Sequence, residues 1–203
     1  LKAGTEQFYN SSSQNVSASV SYKHTRHGLF ANGMVMHSWT HVPYTMAQQL
    51  YGDYVVYSYA DAKNDSKMFM AMGNIGKTLD FMRGSCNVNG SFSRNESHLF
   101  SQSQAVNSVS TGWSVGGKIS GSPCRWFSFD YRIDYSDSRL SMNGLSESWL
   151  STMENELGLT FIPHRKWQWT VSGEHYRNEL TENSYKNIVL LDTRLTYQLN
   201  KKI

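Results

Sequence analysis

The chain has 203 residues, 17% of them charged, with a formal net charge of +3 and a mean hydropathy of −0.52. So thin an excess of basic residues excludes the dense cationic patch that phosphate recognition needs, and nucleic acid is not an expected partner. No apolar run approaches the roughly 20 residues of a membrane helix, although strands that average an oily and a wet face escape such a test.

Leu1 to Gln14 is a polar lead-in without a charged n-region or an apolar h-region, so the start reads as processed or as a point within something longer. Asn15 to His24 then alternates Val16, Ala18, Val20 and Tyr22 with Ser17, Ser19, Ser21 and Lys23. A period of two is the mark of a strand with one oily face. From Arg26 to Ser66 short β-prone runs, Met34 to Trp39 and Tyr54 to Tyr59, are broken by Pro43, Gly52 and Asn64-Asp65, which predicts a long hairpin extension. Met68 to Gly76 returns as a strand of ambiguous facing, since Met68, Met70 and Met72 compete with Phe69, Ala71 and Ile75.

A turn at Thr78 to Arg83 leads to Ser85 to Ser97, where Cys86, Val88, Gly90 and Phe92 alternate with Asn87, Asn89, Ser91 and Ser93. After a polar SQSQ turn, Ala105 to Ser120 sets Val109, Trp113, Val115 and Ile119 against Ser108, Ser110, Ser114 and Lys118. Gly121-Ser122-Pro123-Cys124 predicts a tight turn, because Gly and Pro punctuate strands. Arg125 to Leu140 carries the clearest pattern, Phe127, Phe129, Tyr131, Ile133 and Tyr135 against Ser128, Asp130, Arg132, Asp134 and Ser136. It is about three times the usual strand length, and a tilted strand needs only about 9 to 11 residues to cross a bilayer. Asn143-Gly144 marks a hairpin. Trp149 to Phe161, a turn at Pro163 to Lys166, Trp167 to Arg177 and Asn187 to Asn200 complete the alternating segments.

These elements predict an all-β, antiparallel, up-and-down transmembrane β-barrel segment of about eight strands, one domain over residues 1–203. Turns at Thr78, Pro123 and Pro163 are short and the opposite connections longer, the asymmetry of outer-membrane barrels. Aromatics reach 13%, with six Trp and twelve Tyr, and Trp113, Trp149, Trp167, Trp169, Tyr135 and Tyr197 are expected in interfacial girdles. Asp130, Arg132, Asp134, Glu154, Glu156, Asp192 and Arg194 are expected to face a lumen, since a lipid-facing Arg or Lys at mid-depth costs about 2 to 4 kcal/mol. They would line a substrate path or, on the plainer and favoured reading, form a cross-strand ladder of ion pairs.

The stretches GNIGKTLDFMRGSCNVNGSFSRNES, WSVGGKISGSPCRWFSFDYRIDYSDS and LDTRLTYQLNKKI resemble the C-terminal strands of the outer membrane β-barrel family of Bacteroidota, which is similar to TonB-dependent receptors. The resemblance implies a barrel of about 22 strands around a plug, of which this chain would be the last third. It implies a receptor or transporter wall in the cell outer membrane that binds a ligand through outer loops and lumen. The implied partners are outer membrane lipid, the barrel-assembly machinery, a TonB-type energy-coupling protein and a surface lipoprotein. The alternative is a complete eight-stranded barrel with a structural or surface-binding role, filled by its own side chains. A β-sandwich is the third reading.

No enzyme and no cofactor is expected. Glu154 and Glu156 share one face, whereas a glycosidase needs opposed carboxylates at a set gap. His24, His27, His37 and His41 cluster in the excursion; His37 and His41 have the spacing of a helical metal pair, but Pro43 and the β-prone context oppose a helix, and no Cys or carboxylate completes a zinc set. Cys86 and Cys124 lie near the same end and a bridge between them is the lesser expectation. No nucleophile motif, Walker loop or dinucleotide fingerprint is present.

Overall fold

The computed structural model describes residues 10–51, 54–60, 63–101, 104–143, 145–146, 149–181 and 184–199. Among these residues twelve strands are joined in one sheet. They are β1 (Ser12–His24), β2 (Leu29–Val42), β3 (Thr45–Tyr51), β4 (Tyr54–Ala60), β5 (Asn64–Leu79), β6 (Gly84–Ser101), β7 (Gln104–Cys124), β8 (Phe127–Met142), β9 (Leu145–Ser146), β10 (Leu150–His164), β11 (Trp167–Thr181) and β12 (Ser184–Tyr197). The main path runs β1-β2-β5-β6-β7-β8-β10-β11-β12, with every neighbouring pair antiparallel. The β3–β4 hairpin touches β6 through a short parallel register, Ala47 to Phe100 and Gln48 to Ser101, and β9 extends β8.

The antiparallel, neighbour-to-neighbour order is there; the barrel is not. β1 and β12 stand at opposite ends of the strand order and no register joins them, so residues 16–22 do not ladder onto 189–199. An open sheet cannot be a wall in hydrocarbon, because its unpaired edge amides and carbonyls would have no water to satisfy them, at several kcal/mol each. This contradicts the closed transmembrane barrel expected of the chain, the complete eight-stranded one included; the described residues form an open antiparallel sheet instead. The described residues also form a single sheet, not the two packed sheets of a sandwich.

Two local expectations also change. The stretch read as an excursion is mostly sheet, since β2 pairs along its whole length with β1 and with β5. Its alternation is obscured by Gly33, Met34 and Met36, but hydrogen bonding to two neighbours fixes it nonetheless. The turn expected at Gly121-Ser122-Pro123-Cys124 falls instead at Arg125 and Trp126, with the ladder shifting between Gly121 and Cys124. Proline thus sits at an irregularity within the strand end, where its missing N–H is tolerated. The Gln102-Ser103 part of the SQSQ turn and Gly144 of the Asn-Gly pair lie outside the described residues. The turn at 78–83 is a short 3-10 stretch at Asp80–Met82, and a matching one at Thr25–His27 joins β1 to β2.

Directly opposed residues in an antiparallel sheet share a face, so the registers sort every strand. One face carries Val16, Val20, Val35, Ile75, Val88, Val115, Ile133, Leu157 and Leu191, with charged residues such as Arg94, Asp137 and Arg139 joining it in the rows of Val16 and Val35; the other carries mainly Ser, Asn and Thr, the charges from Asp130 to Asp134 and their partners on β10 and β11, and the methionines of β2 and β5. Among the described residues nothing covers the apolar face. Among the described residues no large side chain is fully buried. The accessible surface is 15438 Å², against roughly 9,700 Å² for a compact protein of 23.2 kDa.

Candidate functional site on the charged face

The best-connected polar cluster lies where β8, β10 and β11 run side by side. Their register places Arg132 opposite Glu156 and Glu156 opposite Glu174, while the adjacent row holds Asp134, Glu154 and Tyr176. Two glycines make room. Gly116 of β7 lies opposite Asp134, and Gly158 of β10 opposite Asp130, and a Cβ at either position would collide with the facing carboxylate.

Arg132 donates from Nε to Asp134 Oδ2 at 2.5 Å, and its Nη1 lies 3.8 Å from Glu156 Oε2. The bond to Asp134 holds the guanidinium above its ordinary value. The Glu156 carboxyl is raised, first by partial burial, then by its hydrogen bond with Glu154. Tyr176 donates its hydroxyl to Glu174 Oε2 at 3.0 Å, and that bond pushes its pKa up to about 12. The cluster is therefore acidic with one committed arginine. It is a ladder of charged and hydrogen-bonded partners.

All seven charged residues expected to face a lumen share this face, but only four of them meet: Arg132, Asp134, Glu154 and Glu156. Asp192 and Arg194 lie on the edge strand opposite Ser172 and Thr170, and among the described residues neither forms an ion pair. Glu174 and Tyr176 join the cluster although the sequence pattern did not single them out; their spacing of two on the strand beside Glu154 and Glu156 was the available signal. On the apolar face a second polar chain was not anticipated: Tyr131 donates to Asn155 Oδ1 at 3.1 Å, and the Asn155 amide lies 3.2 Å from His175 Nδ1.

The aromatic residues expected in girdles lie on the apolar face as clusters. The ring of Trp169 lies 5.7 Å from that of Phe161 and Trp167 4.6 Å from Tyr197, both pairs tilted, at the end where β10 turns into β11. Trp113 and Tyr135 meet at 5.3 Å further along, and Arg139 lies 5.9 Å over Trp149.

At the end of β1, β2 and β5 away from the Thr25–His27 and Asp80–Met82 turns the registers bring Ser12, His41 and Asp65 into one row beside Gln14, Trp39 and Lys67, which line a cleft of about 330 Å³. His41 Nδ1 bonds to Asp65, and this bond lowers the Asp65 carboxyl below its ordinary value. The third link of a nucleophilic relay is missing, because the Ser12 hydroxyl makes no hydrogen bond to the ring and both other side chains are about half exposed. His37 packs edge-on against Trp39 at 4.0 Å, and His24 stacks on His27 at 4.6 Å. On a strand, His37 and His41 are about 13 Å apart along the chain direction. No group of three or more His, Cys, Asp or Glu among the described residues can hold a metal. Cys86 and Cys124 are unbridged thiols.

No family model matches the chain, and no curated protein and no solved structure matches it. The strand texture that resembles outer membrane β-barrel proteins implied a closed wall, and the open sheet overturns that implication. With it go the TonB-dependent receptor role, the small-barrel alternative, the outer-membrane location and the partners that location would bring.

Proposed function

We propose that this chain is a non-enzymatic structural and assembly module, a preformed antiparallel sheet that takes up further β-strands along its edges. The observation that carries this reading is the state of β1 and β12. Among the described residues each is paired on one side only, over 13 and 14 residues, and every residue of β12 is exposed. Sheets that must stay single blunt their edges with proline, bulges, inward charges or short strands. β1 has no proline, an unbroken register and one lysine near its end. Val16 and Val20 on β1, and Val189, Leu191 and Leu195 on β12, continue the apolar face to both margins. An added strand would satisfy a row of backbone groups and extend that face, which is the mode of β-strand addition.

The reading is tested at the edges. Val20→Lys together with Leu191→Lys should abolish concentration-dependent association in light scattering and leave the far-UV β signal intact. In the associated parent, β1 amides should be protected from hydrogen exchange. A parent that stays monomeric at all concentrations, with β1 and β12 amides exchanging freely, would refute it.

A further inference from the structure

Five of the nine methionines fall in two neighbouring strands, as Met34-Val35-Met36 on β2 and Met68-Phe69-Met70-Ala71-Met72 on β5. The register settles the facing that the sequence left ambiguous. Met34 lies opposite Met72 and Met36 opposite Met70, on the face away from Val35, Phe69 and Ala71. Each row continues into serine on both sides, Ser19 and Ser91 in one, Ser17 and Ser93 in the other.

Directly opposed Cβ atoms are about 4.5 to 5.5 Å apart, and same-face neighbours along a strand about 6.7 Å. The four Cβ atoms thus mark a rectangle of about 5 by 7 Å. Each sulfur sits two bonds further out on a chain with three rotatable bonds, so four sulfurs can converge over its centre. The short serines leave that space open. Core filling does not explain the quartet, since no described layer covers this face, Met72 is 41% exposed and Met34, Met36 and Met70 are partly exposed.

Thioethers are neutral, soft donors that need lose no proton to bind. They favour Cu(I), whereas carboxylate and carbonyl oxygens suit Mg²⁺, Ca²⁺ and Mn²⁺. The residues facing the quartet from β1 and β6 are serines, and the next row along holds Asn32 and Asn74. His37 lies on the opposite face, so no imidazole or carboxylate in these rows would recruit a harder ion. We infer that Met34, Met36, Met70 and Met72 form a binding site for a soft monovalent cation, Cu(I), held by their thioether sulfurs.

The test uses the full chain with Cys86→Ser and Cys124→Ser, which removes competing thiols. Ag(I), a redox-inert stand-in, and Cu(I) under ascorbate are titrated against a chromogenic chelator. One equivalent should be retained, and the ε-methyl NMR signals of the four methionines should shift while those of Met142 and Met153 stay. Zn²⁺ should move none of them. Met36→Leu with Met70→Leu, a volume-conserving pair, should lose the retained equivalent. Retention undiminished when all four are leucine, or intact protein whose four methyl signals do not respond, would overturn the site. The second measurement needs no leucine variant and decides the matter even if the leucine chain fails to fold.

Discussion

Glu156 sits where a carboxylate is poorly placed to be charged. Partial burial raises its pKa first, the Glu154 hydrogen bond next, and Arg132 opposes both from 3.8 Å while committed to Asp134. A folded acid with a raised pKa binds its proton at higher pH than the unfolded chain does. Between the ordinary carboxylate value and the raised one the folded state holds more protons, so this contribution to stability is present at low pH and lost as pH rises. Glu156→Gln removes that loss. The urea midpoint of the variant, relative to the parent, should therefore be higher at pH 7 than at pH 4; a variant less stable than the parent at pH 7 would show that the Arg132 contact outweighs the crowding. Asp65 runs the other way, since its His41 bond stabilises the fold above the ordinary carboxylate value and is lost as pH falls.

Strands as long as these are held in register by their turns, and the link from β1 to β2 shows how. Gly28 closes the Thr25–His27 turn at φ +58°, its N–H bonding to Thr25 O at 3.2 Å and its carbonyl accepting from Thr78 N at 2.8 Å. The left-handed conformation costs an ordinary residue about 1 to 2 kcal/mol. A Cβ there would also stand 2.7 Å from the Thr78 Cβ. Gly28→Ala should therefore lower stability in chemical denaturation by about 2 kcal/mol or more. Gly33 is the control. It has no positive φ and 3.6 Å to the nearest atom, so Gly33→Ala should be neutral or slightly stabilising, because alanine loses less backbone entropy on folding.

A single sheet of this breadth leaves its oily face to the solvent. Around the row Gly33, Gly73 and Gly90 that face even dips into an open depression of about 540 Å³, rimmed by Val20, Val35, Ala71 and Phe92. Exposed apolar patches beyond a few hundred Å² mark interaction surfaces in folded proteins. The native chain should accordingly bind the dye ANS strongly without denaturant, and, because strand addition at the edges extends the face without covering it, dye fluorescence per chain should persist as association proceeds. Native protein that leaves the dye dark would mean that the face is already covered. A second consequence concerns shape: a radius of gyration well above the roughly 17 Å of a compact 203-residue chain is expected in small-angle scattering.

Alternation in residues 127–135, 157–161 and 189–195 was enough to establish which side chains share a face, because a strand's period of two is local geometry and survives any pairing. The same logic grouped Asp130, Arg132, Asp134, Glu154, Glu156, Asp192 and Arg194 as residues of the polar side of their strands, but only the register showed which of them meet. Where the alternation is blurred, as at Gly33 to Met36 and Met68 to Met72, only hydrogen bonding to neighbours on both sides could assign a face. Closure was beyond the sequence altogether. It depends on strand number, tilt and shear acting together over the whole sheet, and a strand that will meet a partner at its open edge reads the same as one that will not. The tertiary structure alone decided that β1 and β12 stay apart, and with them the difference between a sealed wall and an open sheet.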